Sequence, residues 1–124
     1  MATTSCTIPA GKQYSYPILV SVPNTVLSWS FYSSYYEIDF AVQRELEDEN
    51  TEVIVEKETF SSDTTYQGKI LVNECGTYNL IWDNSRAWIR ERNVVFSVSL
   101  KIPQLPTSMR NRCSSCAVTA FSYP

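Results

Sequence analysis

The sequence predicts an all-β domain, an antiparallel β-sandwich of jelly-roll-like type with about seven to eight strands. Three observations carry that expectation. Apolar and polar side chains alternate in run after run, the period of a half-buried strand. Aromatic residues reach 13% of the chain, with eight Tyr, five Phe and three Trp, side chains that pack well on a pleated surface. No segment reads as a long helix with a 3.6-residue apolar period.

The runs can be justified in chain order. Tyr14 to Val22 is the first, and Pro17 inside it suits an edge strand or bulge, because proline donates nothing to a ladder. Val26 to Tyr32 sets Leu27, Trp29 and Phe31 on one face and Ser28 and Ser30 on the other. Ser33-Ser34 reads as a turn, after which Ile38, Phe40 and Val42 form an inward set opposed by Glu37, Asp39, Ala41 and Gln43. Thr51 to Phe60 alternates Val53 and Val55 with Glu52, Ile54 and Glu56, and Ile70 and Val72 mark a further strand. Gly76 to Ser85 is the best-punctuated run: Tyr78, Leu80 and Trp82 share a face between Gly76 and the turn residues Asp83-Asn84-Ser85. Asp83 reads as a turn residue bonded to its own backbone. Asn93 to Ile102 closes the series with Val94, Phe96, Val98 and Leu100 on one face. Trp29, Phe40, Trp82 and Phe96 are the expected core anchors.

A chain of 124 residues is long enough for one domain with its own core. Residues 1–11 read as a lead-in, 12–102 as the sandwich, and 103–124 as a C-terminal tail. Val118, Phe121 and Tyr123 could dock that tail on a sheet edge. The formal net charge of −3 offers phosphates no global attraction, which argues against nucleic acid as a partner. No apolar run approaches the roughly 20 residues of a transmembrane segment, and no basic-then-apolar leader opens the chain. A soluble cytoplasmic chain is therefore expected, with Cys6, Cys75, Cys113 and Cys116 as free thiols.

Catalytic chemistry finds little support in the residue types. The chain has no histidine, so Ser85 lacks the base a nucleophilic serine needs. Cys113-Ser114-Ser115-Cys116 has CxxC spacing, yet a zinc site would have to recruit Cys6, Cys75 or carboxylates. No glycine-rich phosphate loop occurs. The expectation is a non-enzyme with no metal and no cofactor.

Two charged segments are candidate contact surfaces. Arg44 to Glu58 sets Glu45, Glu47, Asp48, Glu49, Glu52, Glu56 and Glu58 against Arg44 and Lys57. Glu45, Glu47, Asp48 and Glu49 could form an acidic docking loop for a basic peptide; alternatively, the segment is a solvated hairpin whose charges discourage edge pairing. Ser85 to Arg92 contains Arg86, Trp88, Ile89, Arg90 and Arg92, residues able to bind a protein partner or to meet an anionic membrane surface. The competing arrangement has Trp88 capping the open end of the sandwich, with Arg90 and Arg92 paired to carboxylates. Tyr35, Tyr36 and Trp88 could together serve a carbohydrate.

Four motifs occur in order: Trp29-Ser30-Phe31, Tyr36 to Val42, Gly76 to Ser85, and Val94 to Val98. Together they resemble the GOLD (Golgi dynamics) family, which shows W-x-F, D-I-x-F-x-V, G-x-Y-x-L-x-W/F-D-N-S and V-x-Y/F-x-V. Glu37 stands where that family usually has aspartate, and Asp39 where a small residue is common. The resemblance implies a non-enzymatic protein-interaction module of a cytosolic adaptor or lipid-transfer protein, peripheral to Golgi or vesicle membranes. Its partner would be a protein of membrane trafficking. Recognition of a membrane or phosphoinositide headgroup through residues 86–92 is the alternative.

Overall fold

Eight strands arranged in two antiparallel sheets make up the computed structural model, which describes residues 3–103. They are β1 (Thr4–Ile8), β2 (Gln13–Val20), β3 (Thr25–Ser34), β4 (Ile38–Glu45), β5 (Thr51–Phe60), β6 (Thr65–Val72), β7 (Gly76–Asp83) and β8 (Arg92–Lys101). One sheet has the order β1-β8-β3-β6 and the other β2-β7-β4-β5. Every connection except the β4–β5 hairpin passes from one sheet to the other, which is the eight-strand jelly roll. The sandwich read from the alternating runs is the fold of the protein.

Register decides where the loops go. Gln13 and Asp39 both lie opposite Asp83, Ile38 lies opposite Phe60, and Ile8 opposite Arg92. The β1–β2, β3–β4, β5–β6 and β7–β8 connections therefore gather at one end of the sandwich. The β4–β5 hairpin lies at the other end, with the β2–β3 and β6–β7 connections.

The core is the interleaving of the two inner faces. Trp29, Phe40, Trp82 and Phe96 are all buried there, together with Phe31, Leu27, Val42, Leu80 and Val94. Pro17 falls on β2, an edge strand that pairs with β7 alone among the described strands, the kind of position where proline is tolerated. Gly68 on β6 lies opposite Trp29, whose indole crosses the space a side chain would occupy.

The structure departs from the sequence reading at four places. Thr4–Ile8, taken as part of a lead-in, forms β1 against β8 and buries Ile8 in the core. Ser33 and Ser34 extend β3; the turn falls at Tyr35, whose φ of 68° places it in the left-handed region, and the Ser33 hydroxyl donates to the Tyr36 carbonyl at 2.6 Å. Register shifts between β4 and β5 insert extra residues into β5, so Ile54 and Val55 both pack on the core while Val53 is exposed. Cys75 is disulfide-bonded, contrary to the free-thiol expectation, whereas Cys6 keeps its thiol. The tail and its CxxC pair lie outside the described residues.

Two substitutions test this packing. Trp82→Ala should cost about 3–5 kcal/mol in denaturant unfolding, because the cavity opens between both sheets. Gly68→Ala places a Cβ 2.6 Å from the Trp29 ring and should destabilise by about 1–3 kcal/mol, read from the same unfolding curve.

Candidate binding site at the four-loop end

The loop end is built around the exit of β7. Asp83 is the last residue of that strand, and its Oδ1 accepts from the Ser85 backbone N–H at 2.7 Å, the turn expected from the sequence. Its Oδ2 accepts from Lys57 Nζ at 2.7 Å. The next residue, Asn84, is only 4% exposed. Its Nδ2 donates to the carbonyls of Ile8 at 3.0 Å, Arg90 at 3.0 Å and Pro9 at 3.3 Å. Its backbone N–H donates to Lys12 O, and its carbonyl accepts from Gly11 and Ala87. A single side chain thus joins the β1–β2 connection to the far side of the β7–β8 loop.

A second clasp holds the near side of that loop. Arg86 Nε and Nη2 each donate to Asp39, at 2.9 Å to Oδ2 and 2.9 Å to Oδ1, a bidentate fork. Thr59 Oγ1 donates to the same Oδ1 at 2.6 Å. A third contact reaches the β3–β4 connection, where Arg92 Nε donates to Glu37 O at 2.6 Å. The guanidinium carbons of Arg90 and Arg92 lie 5.3 and 5.0 Å from the Tyr36 ring centroid, within cation–π range. Between these groups is a small depression of about 100 Å³, lined by Glu37, Asp39, Asp83, Asn84, Arg86, Ala87 and Arg92.

The clasps set the electrostatics. The Arg86 fork, helped by Thr59, holds the Asp39 carboxyl below the usual range despite its burial. Burial pushes Asp83 upward, but the Lys57 ammonium and the Ser85 hydrogen bonds outweigh it and leave that carboxyl lowered as well.

Beyond the clasps the loop tip is bare. Trp88 is 94% exposed and Ile89 88%, with Tyr35 of the neighbouring connection 79% exposed. At that exposure Trp88 does not cap the sandwich. The Arg90 and Arg92 guanidinium groups face the Tyr36 ring, Arg92 also donates to the Glu37 and Arg90 carbonyls, and neither forms a salt bridge with a carboxylate among the described residues, whereas Arg86 does with Asp39. Of the five basic and apolar candidates, Arg86 and Arg92 hold the loop while Trp88 and Ile89 are presented.

The acidic candidates sit at the opposite end, on the β4–β5 hairpin. Glu45 accepts from the Asn79 amide at 2.9 Å, and Glu47, Asp48 and Glu49 form one exposed 3₁₀ turn. Nearby Arg44 bridges Glu52 at 3.0 Å and Glu74 at 2.9 Å, which neutralises part of the cluster. The structure does not bring this hairpin to the aromatic loop. Sequence reasoning missed Asn84 as the central clasp, although its place in the Asp-Asn-Ser turn was visible. It also missed the pairing of Asp39 with Arg86, 47 positions apart, for which the chain carries no local signal. No cluster of three or more potential metal ligands occurs among the described residues, and no helix there is long and apolar enough to cross a membrane.

No family model matches the chain. Solved structures of similar shape include the periplasmic inhibitor of g-type lysozyme from Aeromonas hydrophila, 14% identical, with a TM-score of 0.57 over 81% of this chain and 85% of that one. The Yersinia pseudotuberculosis-derived mitogen is 10% identical, with a TM-score of 0.54 over 86% and 90%. The carbohydrate-binding module CBM4 is 10% identical, with a TM-score of 0.52 over 80% and 82%. At these identities the likeness is one of fold.

Two measurements test the clasps. Asn84→Ala unpairs buried carbonyls and should lower unfolding free energy by about 1–3 kcal/mol. Because Asp39 and Asp83 are depressed in the folded state, the unfolded chain binds more protons as pH falls through and below the ordinary aspartate value of about 3.9. Their stabilisation is present above that pH and lost as acid reaches the folded values. Melting temperature followed by circular dichroism from about pH 6 to about pH 2 should decline in that window, and less steeply in Asp39→Asn.

Proposed function

We propose that this protein is a non-enzymatic binding module that captures a protein partner at its four-loop end, with Trp88 and Ile89 as the anchor. The observation that carries the reading is the exposure of that pair on a loop fixed by Asn84, by the Asp39–Arg86 fork and by Arg92. A large apolar tip held above a rigid scaffold is the arrangement expected of an interface hot spot. The β-sandwich neighbours, an enzyme inhibitor and a carbohydrate-binding module among them, are compatible with a binding role. A catalytic role is disfavoured because Asp39 and Asp83 are committed to cations and held ionised, which unfits them as general acids near neutral pH.

A protein partner suits the loop end better than a membrane surface does. Lys12, Lys57, Arg86, Arg90 and Arg92 are offset there by Glu37, Asp39, Asp63, Asp83 and Glu91, so anionic headgroups meet little net attraction. Carbohydrate stacking is weakened at Tyr36, whose ring is engaged by Arg90 and Arg92. The finer assignment, a cytosolic adaptor of Golgi and vesicle traffic, draws its support from the GOLD resemblance alone. The disulfide at Cys75 runs against a reducing compartment.

Affinity capture from cell extract, paired with liposome co-sedimentation, tests the reading. A protein recovered by the wild type should be lost with Trp88→Ala, a weakening of about 30-fold if the residue contributes roughly 2 kcal/mol. Retention of that protein by the variant, or Trp88-dependent sedimentation with anionic liposomes, would sink it.

A further inference from the structure

The strands of the β1-β8-β3-β6 sheet contain no aspartate or glutamate, in a chain with 13 acidic residues. Every strand carboxylate lies in the other sheet, on β4, β5 or β7. The charged residues of the acid-free sheet are Lys69, Arg92 and Lys101, and Arg92 is committed to the loop end. An acidic protein thus keeps one broad face that is cationic.

That face also has a shape. Alternation sends Leu27, Trp29 and Phe31 into the core, so Ser28 and Ser30 face outward. Register aligns Ser28 with Ser99 and Lys69, and Ser30 with Ser97 and Gln67. These six side chains, together with Trp29 and Gly68, line a depression of about 450 Å³ across three strands, within the roughly 300–1,000 Å³ of small-molecule sites. None of the six makes a side-chain hydrogen bond or ion pair with another described residue. The trough therefore offers four hydroxyls, one amide and one ammonium with no partner among the described residues.

We propose that this trough binds a short acidic glycan, its uronate carboxylate on Lys69 and its hydroxyls on Ser28, Ser30, Ser97, Ser99 and Gln67. Each feature of the ligand answers a feature of the surface: many donors and acceptors for the serines, and a negative charge for a face without carboxylates. A wholly apolar partner would meet Trp29 but leave the serines, Gln67 and Lys69 buried and unpaired. A basic peptide would be repelled by Lys69 and Lys101. Nucleic acid needs several phosphate contacts, and the trough holds one cation.

Titration of ¹⁵N-labelled protein with a short oligogalacturonate, beside a neutral oligosaccharide of equal length and inorganic phosphate, tests the site. The uronate should shift amides of β3, β6 and β8 around Ser28, Gln67 and Ser97, and raised salt should weaken it. Lys69→Gln should reduce affinity by about tenfold or more, the loss of a charge-assisted hydrogen bond, and the double variant Ser30→Ala with Ser97→Ala should weaken it too. Unchanged spectra away from the trough confirm that both variants fold. Trp88→Ala should leave glycan binding intact, which separates this site from the loop-end reading. The proposal falls if the uronate shifts nothing at millimolar concentration, if the neutral sugar or phosphate binds as well, if Lys69→Gln has no effect, or if the shifts map to the loop end.

Discussion

Burial of Trp82 is the constraint from which the rest of the molecule follows. Its ring meets Tyr14 and Phe40 of its own sheet at centroid distances of 6.4 and 5.1 Å, and Phe31 and Phe96 of the other sheet at 5.9 and 4.4 Å. A residue touching four rings from both layers fixes their spacing and offset at once. The cost is visible: Trp82 Nε1 is buried with no partner among the described residues. An unpaired donor costs about 1–3 kcal/mol, whereas burying 150–250 Å² of tryptophan contributes roughly 4–6 kcal/mol at ~25 cal/mol per Å², so packing wins.

Because strand side chains alternate, an inward Trp82 dictates an outward Asp83 and leaves Asn84 at the rim. This sets a problem, since Asp83 then lies directly opposite Asp39 on β4, and like charges across a ladder repel. Lys57 and Arg86 resolve it by taking one carboxylate each. The solution shapes the loop, for Arg86 can reach Asp39 only if the chain after Ser85 folds back over the end of the sheet. Asp39 is therefore matched by a compensating arginine 47 positions along the chain. The β7–β8 loop takes its path from electrostatics that the core imposes.

Legibility in the sequence divides along the same physical lines. Strands with alternating large residues, such as Val26 to Tyr32 and Gly76 to Asp83, were readable because one face is bulky and the other small. β1 was not, since Thr4 to Ile8 offers only Cys6 and Ile8 to the inside and takes its strand conformation from pairing with β8. The irregular register of β5 was equally hidden: a bulge changes which residues face inward without changing the residues themselves. At the candidate site, the residue types were visible and their partners were not. Two roles remained open for Trp88, cap or contact, and only its exposure in the folded chain separates them.

An exposed tryptophan on a mobile loop would lose rotamer and backbone freedom on binding, and that loss subtracts from affinity. Here the loop is tied on both sides of the tip, at Arg86 to β4 and at Arg90 through the Asn84 amide, with Arg92 adding a third tie to the β3–β4 connection. The ordering entropy of the segment is thus spent during folding, so that in the proposed binding role Trp88 is presented from a preformed base. The same ties make the site sensitive to the carboxylate beneath it. Protonating Asp39 weakens the charge-assisted fork to Arg86 and so loosens the near side of the loop, and under the proposed role it returns to binding the entropic cost that folding had removed.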